Sequence, residues 1–238
     1  MNSADTNKRP CKVSIIIPVL REQGIINDLL KHLKTLQTPP ELEVIVVDGS
    51  PTHETLDAIK EKDIVLLSSA QGRGHQLNQG AAVANGDILL FLHADTTLPV
   101  NALQCIEGTL QDGQFVGGAF DLTISSPRFI FRVVSRLIFF RSWLTRVPFG
   151  DQAIFLRKNY FYAIYGYKDI PLMEDLELMR RIRKNGGKIT LLRERVVTSP
   201  RRWECEGVVI CTLRNWTIRT LYFLRVHPDI LIQFYKNE

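Results

Sequence analysis

Apolar residues arrive along this chain in short unbroken runs, separated by stretches in which they recur every three or four positions. VSIII at 13–17 predicts a strand stopped by Pro18, and Ile26, Leu29, Leu30 and Leu33 then share one helical face ahead of Pro39-Pro40. LEVIVV at 42–47 predicts a second strand closed by Asp48-Gly49-Ser50-Pro51, followed by a polar helix over 53–62. IVLL at 64–67 gives a third strand, 72–86 a third helix ending at Asn85-Gly86, and ILLFL at 88–92 a fourth strand. Strands alternating with helices imply parallel pairing through right-handed crossovers. Their lack of polar alternation suits a sheet covered on both faces.

Beyond residue 100 the pattern loosens. Strands are expected at 114–124, 152–158 and 188–197. A helix over 172–187 buries Leu172, Leu176, Met179 and Ile182 and ends at Gly186-Gly187, and the tail over 208–235 reads as helical. Segment 126–146 is amphipathic, with Arg128, Arg132 and Arg136 four residues apart and Phe, Ile, Val and Leu opposite. Its favoured reading is a helix covering the core with its arginines in water. The other is a helix lying in a membrane interface. With no repeat or linker, the chain reads as a flexible start (1–11) and one α/β domain (12–238). That domain divides into a nucleotide-binding half (about 12–100), an irregular acceptor half (about 101–207) and a helical tail (about 208–238).

Composition changes this picture little. With 238 residues, 45% apolar and 23% charged, the chain is an ordinary globular one. A net charge of +5 is compatible with anionic small molecules, lipid or nucleic acid and selects none. The four cysteines (Cys11, Cys105, Cys205, Cys211) form no C-x-x-C pair, which argues against structural zinc and for a reducing compartment. The polar start lacks the apolar core of a signal peptide, and no apolar run approaches the about 18 residues of a membrane span. A cytoplasmic protein is expected, with peripheral contact at the inner membrane face through 126–146 kept open.

Candidate chemistry gathers at strand ends, where open parallel sheets bind ligands. Glu22 follows the first strand, Asp48 closes the second and Asp95 follows the fourth. Acids converging from several strands need a positive partner, and a hard divalent cation is the usual one. For Asp48 alone, a turn or capping role is an equal reading. Gly72-Arg73-Gly74 lacks the third glycine of a dinucleotide loop but could hold a phosphate or sugar edge. Arg201-Arg202-Trp203 offers an anion grip beside an aromatic plate, or a solvated basic turn. Glu174, Asp175 and Glu177 open a helix whose later turns are basic, a gradient that the helix dipole explains by itself. Asp175 would nevertheless point toward whatever sits at that helix start and could take a proton from a hydroxyl.

Taken in order, SIIIPVLRE, EVIVVDGS, the Gly/Gln/Asn-rich segment before ANGDILLFLHADTTLP, PLMEDLELMRRIRKNG and RRW resemble family 2 glycosyltransferases over roughly residues 12–207. The L-H-A-D-T, G-D-Q and R-R-W motifs are most similar to small soluble bacterial transferases, some of them associated with arsenosugar- or selenium-linked gene clusters. This resemblance implies a GT-A fold with a mostly parallel, Rossmann-type sheet, a nucleotide-diphosphate sugar donor, Mg²⁺ or Mn²⁺, and inversion at the anomeric carbon. It places Pro18 and Glu22 along the nucleotide pocket, Asp48 on the base or ribose, and Arg73, Gln76 and Asn78 at the donor edge. Asp95 takes the metal position of a D-x-D motif whose first acid is here His93. Asp151 of G-D-Q joins the substrate-binding set, Asp175 of the Glu174-Asp175 pair is the base, and Arg202 and Trp203 close over diphosphate and acceptor. The acceptor itself is open, small or lipid-linked, and no nucleic-acid partner is expected. A sugar-phosphate nucleotidyltransferase and a non-catalytic membrane or anion-binding protein are the competing readings.

Overall fold

The computed structural model describes residues 11–37, 41–111 and 113–235, so the expected flexible start lies, but for Cys11, outside the described residues. The first half follows the strand–helix rhythm: β1 (Val13–Val19), α1 (Ile26–Leu33), β2 (Leu42–Asp48), α2 (Glu54–Ala58), β3 (Val65–Ser68), α3 (Arg73–Val83) and β4 (Ile88–Phe91). After it come β5 (Thr96–Thr97), α4 (Ala102–Leu110), β6 (Gly117–Ile124), α5 (Phe129–Thr145), β7 (Phe155–Arg157) and α6 (Lys158–Ala163). The chain continues through α7 (Glu174–Lys184), β8 (Ile189–Thr198), α8 (Arg201–Glu206), α9 (Val208–Phe223) and α10 (Pro228–Leu231).

All eight strands form one sheet in the order β3-β2-β1-β4-β7-β6-β8-β5. β1, β2, β3 and β4 pair in parallel, as does β6 with β8, whereas β7 runs antiparallel between β4 and β6. This reversal matters for the site, because the residues just before β7 then lie at the same edge as the residues just after β4. The core is a continuous apolar cluster on each side of the sheet. On one side α3 lies so close that a Cβ at Gly80 would come within 2.4 Å of the Ile16 side chain and 3.1 Å of Val47.

Several expectations need correction. β1 runs through Pro18 to Val19: its pairing with β4 ends at Ile16, so the proline lies past the doubly paired part of the strand. β3 is an edge strand with Val65 and Leu66 exposed, so the sheet is not covered throughout. The polar helix shrinks to α2, and α7 begins at Glu174, which leaves Leu172 outside its buried stripe. Helix α4 went unforeseen, although Ala102, Leu103, Ile106 and Leu110 bury one helical face. Most consequential, α5 buries only Phe131, Val134 and Ser142, so most of its apolar surface is not core cover.

Candidate active site

Four acids arrive at the sheet edge beyond β4, on three segments. The loop after β4 brings His93 and Asp95, a one-turn 3₁₀ helix just before β7 (Gly150–Gln152) brings Asp151, and the first turn of α7 brings Glu174 and Asp175. The segments interlock through backbone. The Gly150 N–H donates to Asp175 Oδ2 at 2.8 Å, and the Leu176 N–H donates to Oδ1 of the same carboxylate at 2.7 Å. Gln152 is buried and anchors the turn: its Nε2 donates to the Phe120 carbonyl at 3.0 Å, and its Oε1 accepts from Ser142 Oγ and the Phe149 N–H. Left-handed backbone on non-glycine residues brackets both elements, at Ala153 (φ 48°) after the turn and Met173 (φ 69°) before α7. Strain of this kind is held in place by surrounding packing and clusters at functional sites.

The electrostatics are those of a crowded acid cluster threaded by arginines. Burial pushes the Asp151 carboxyl up to about 6; Arg141 opposes the rise, Asp175 and Asp95 add to it, and Arg73 opposes it. Asp151 Oδ1 is buried with no hydrogen-bond partner. Burial likewise raises Glu174, whose Oε1 faces Arg73 Nη1 at 3.4 Å. Desolvation works against the Arg73 charge, but Glu174, Asp175 and Asp151 overcome it and hold that guanidinium above its usual range. His93 is pushed well below the ordinary histidine range by burial and by the nearby charges of Arg73 and Arg202, so it is a neutral imidazole at pH 7. It packs so close to the G-D-Q turn that a Cβ at Gly150 would lie 3.0 Å from His93 Nε2.

The strand-end trio read from the sequence does not assemble as a set around one ion. Glu22 receives a two-pronged ion pair from Arg201, with N···O distances of 3.0 and 3.2 Å, so its positive partner is a side chain. Asp48 is fully buried under its own turn, where Oδ1 accepts from the Ser50 N–H at 2.7 Å while Oδ2 has no partner. Among the described residues no group of three His, Cys, Asp or Glu side chains is placed to hold a metal. Gln76 and Asn78, expected at the donor edge, are committed to backbone: Gln76 Nε2 donates to Val19 and Val47 at the ends of β1 and β2, and Asn78 bonds both the N–H and carbonyl of Tyr167. Arg202 contacts Tyr235, and half-buried Trp203 packs in a T-shaped contact against Phe131 of the core.

Three residues not singled out by sequence complete the edge. The Phe149 ring carries the guanidinium of Arg141 from α5, 3.5 Å from its centre, and that of Arg219 from α9, at 4.2 Å. Burial and Arg219 push Arg141 down to about 9, while Asp151 and Asp175 pull against the drop. Arg141 Nε and Arg219 Nη2 are buried without partners. Arg141 breaks the four-residue spacing of the earlier arginines, which was a signal; nothing local marks Phe149 or Arg219.

This arrangement can hold an anion against arginines and deliver a carboxylate to a neighbouring hydroxyl. The sequence model described as Glycosyl transferase family 2 matches residues 14–168. The chain belongs to glycosyl transferase family 2. That family is one of glycosyl transferases, which favours the catalytic reading over the non-catalytic one and over nucleotidyl transfer. Among family relatives it is 24% identical over 248 residues to a probable glycosyltransferase, YdaM, of Bacillus subtilis, covering 94% of this chain and 57% of that one. It is 30% identical over 178 residues to a PGL/p-HBAD biosynthesis glycosyltransferase of Mycobacterium bovis, covering 65% of this chain and 62% of that one. The family 2 chain thus spans about six-tenths of the length of these curated relatives. Its fold matches Staphylococcus aureus TarS with a TM-score of 0.62 at 17% identity, over 79% of this chain and 36% of that one. The TarS 1–349 structure in complex with UDP-GlcNAc matches at a TM-score of 0.60 and 19% identity, over 79% and 58% of the two chains. The α/β, GT-A-like sheet expected from the sequence is the fold observed.

Proposed function

We propose that this family 2 chain, acting as one catalytic unit from residue 12 onward, moves a sugar from a nucleotide-diphosphate donor to an acceptor hydroxyl, with inversion and with a divalent cation. The observation that carries the reading is the meeting of Asp95, Asp151 and Asp175 with Arg73 at one sheet edge. The UDP-GlcNAc complex of the structurally similar TarS supports the donor class. The narrower kinship with arsenosugar- or selenium-linked transferases rests on the L-H-A-D-T, G-D-Q and R-R-W motifs.

The residues present fit a cation of the Mg²⁺ or Mn²⁺ kind. Such an ion needs one or two carboxylates and completes its shell with substrate phosphates and water, so an all-protein cage is not required. Asp95 would hold it, with the unpartnered Asp151 Oδ1 in the same acid cluster. When bound, the ion would offset charge on the departing diphosphate. Arg73 supplies fixed positive charge at the same edge, and Glu174 behind it positions that guanidinium. Asp175, aimed by its two backbone N–H bonds, takes the acceptor proton. The acceptor oxygen then bonds to the anomeric carbon from the face opposite the leaving group, and the carbon–oxygen bond to the diphosphate breaks with its electron pair leaving on phosphate. Only one base is needed, because the leaving group departs unprotonated. Asp48, with its buried free Oδ2, is the acceptor for a base or ribose donor group.

Asp175→Asn is expected to keep nucleotide-sugar binding by calorimetry while lowering turnover at least about 100-fold, the scale of lost general-base catalysis. Near-normal turnover would remove Asp175 from the role. A screen of nucleotide sugars by thermal shift with and without Mn²⁺ tests the donor: no stabilisation by any of them would overturn the donor class.

A further inference from the structure

The outward faces of α5 and α9 are apolar and uncovered. On α5, Phe129, Leu137, Phe140 and Leu144 are 70, 55, 59 and 65% exposed, and their spacing puts them on one stripe. On α9, Val209, Leu213, Trp216 and Phe223 are 67, 63, 58 and 68% exposed, again along one stripe. Arg141 of α5 and Arg219 of α9 both rest on the Phe149 ring, one residue before the turn that carries Asp151, so both helices reach the edge of the active site.

The charge along the α5 stripe has one sign. Segments 126–147 and 207–228 contain eight arginines and no aspartate or glutamate; of these Arg214 is ion-paired to Glu206, and Arg141 and Arg219 turn onto Phe149. Arg128, Arg132 and Arg136, each exposed, run parallel to the α5 stripe, with Arg146 at its end and Arg225 beyond α9. A second copy of this chain fits such a face poorly, because a two-fold interface would set arginines against arginines. No helix among the described residues is long and apolar enough to cross a membrane. Apolar stripes edged by exposed arginines are the chemistry of a helix lying in the headgroup layer of an anionic bilayer.

We propose that α5 and α9 together dock the protein on an anionic lipid surface, with the arginines among the headgroups and the aromatic and aliphatic stripes at the acyl boundary. The contact kept open for 126–146 as the less favoured reading thereby gains a second helix. The inference stands on exposure and charge, independently of the sugar-transfer reading.

The test is flotation of the full chain with vesicles of phosphatidylcholine alone and of phosphatidylcholine mixed with phosphatidylglycerol, at low and high salt. Binding is expected only to the mixed vesicles and should weaken with salt. The Arg128→Gln/Arg132→Gln/Arg136→Gln triple variant should bind roughly 100-fold more weakly, given about fivefold per basic residue near such a surface. The Leu137→Ser/Phe140→Ser/Leu213→Ser/Trp216→Ser variant should lose flotation; if it fails to fold by circular dichroism, the arginine variant decides. No flotation, or equal binding to both vesicle types unaffected by the arginine changes, would overturn the proposal. So would concentration-dependent dimerisation, seen by sedimentation without flotation and abolished by the serine variant, because the occupant would then be a second copy.

Discussion

Replacing Gly150 by alanine tests how closely the His93 loop and the G-D-Q turn must approach. The added Cβ would sit 3.0 Å from His93 Nε2 and 3.7 Å from Asp175 Oδ2, the first contact well inside ordinary van der Waals separation. Half-buried His93 or the turn has to give by some tenths of an ångström, an overpacking cost of about 1–2 kcal/mol. The same movement stretches the 2.8 Å bond from the Gly150 N–H to Asp175, a bond to a charged group worth about 1.5–3 kcal/mol in full. We expect a loss of about 2 kcal/mol in stability, or roughly 4–8 °C in Tm for a chain of this size. Turnover should fall up to about 10-fold, since a misplacement of about 1 Å at a reacting group costs on the order of 100-fold and the shift here is a fraction of that. The decisive arm is the double variant Gly150→Ala/His93→Ala. Truncating the imidazole removes the clash, so a double-mutant cycle by chemical denaturation should show about 1 kcal/mol or more of favourable coupling. If Gly150→Ala is as stable and active as the parent, or if the two changes simply add, the contact does not constrain the turn.

Asp151 gives a pH-dependent prediction. Its carboxyl rises from 3.8 to about 6 through burial among Arg141, Asp175, Asp95 and Arg73, so its ionised form destabilises the fold. That penalty is absent below pH 3.8 and complete above about pH 6, where it amounts to about 3 kcal/mol. Asp151→Asn should therefore gain stability over the parent progressively across that window and hold the gain at pH 8 while losing transfer; urea titrations at several pH values check it, and a pH-independent difference would refute the cause. Gly80→Ala should cost about 1–3 kcal/mol by denaturation, since its methyl would meet Ile16 at 2.4 Å and the helix cannot back away without lifting off β1 and β2.

Much of the nucleotide half was legible because its signals are local. Unbroken apolar runs mark β1, β2 and β4 within a few residues, although β1 continues through Pro18, and Asn85-Gly86 marks the end of α3. Asp95, Asp151 and Asp175 were each picked out by a short motif that carries its own neighbours with it. What tertiary structure decided is which of those acids share a site. β7 runs antiparallel beside β4, and that single reversal delivers Asp151 to Asp95, while Glu22 is taken by Arg201 from a segment 179 residues away. Gln76 and Asn78 look like donor contacts in one dimension, but their amides satisfy strand ends and a loop that only the folded chain brings within reach. The exposed face of α5 belongs to the same category. Helical period shows that a residue is on a stripe, yet whether anything covers that stripe depends on packing between distant elements, and here Phe131, Val134 and Ser142 are buried and Ile138 is partly covered.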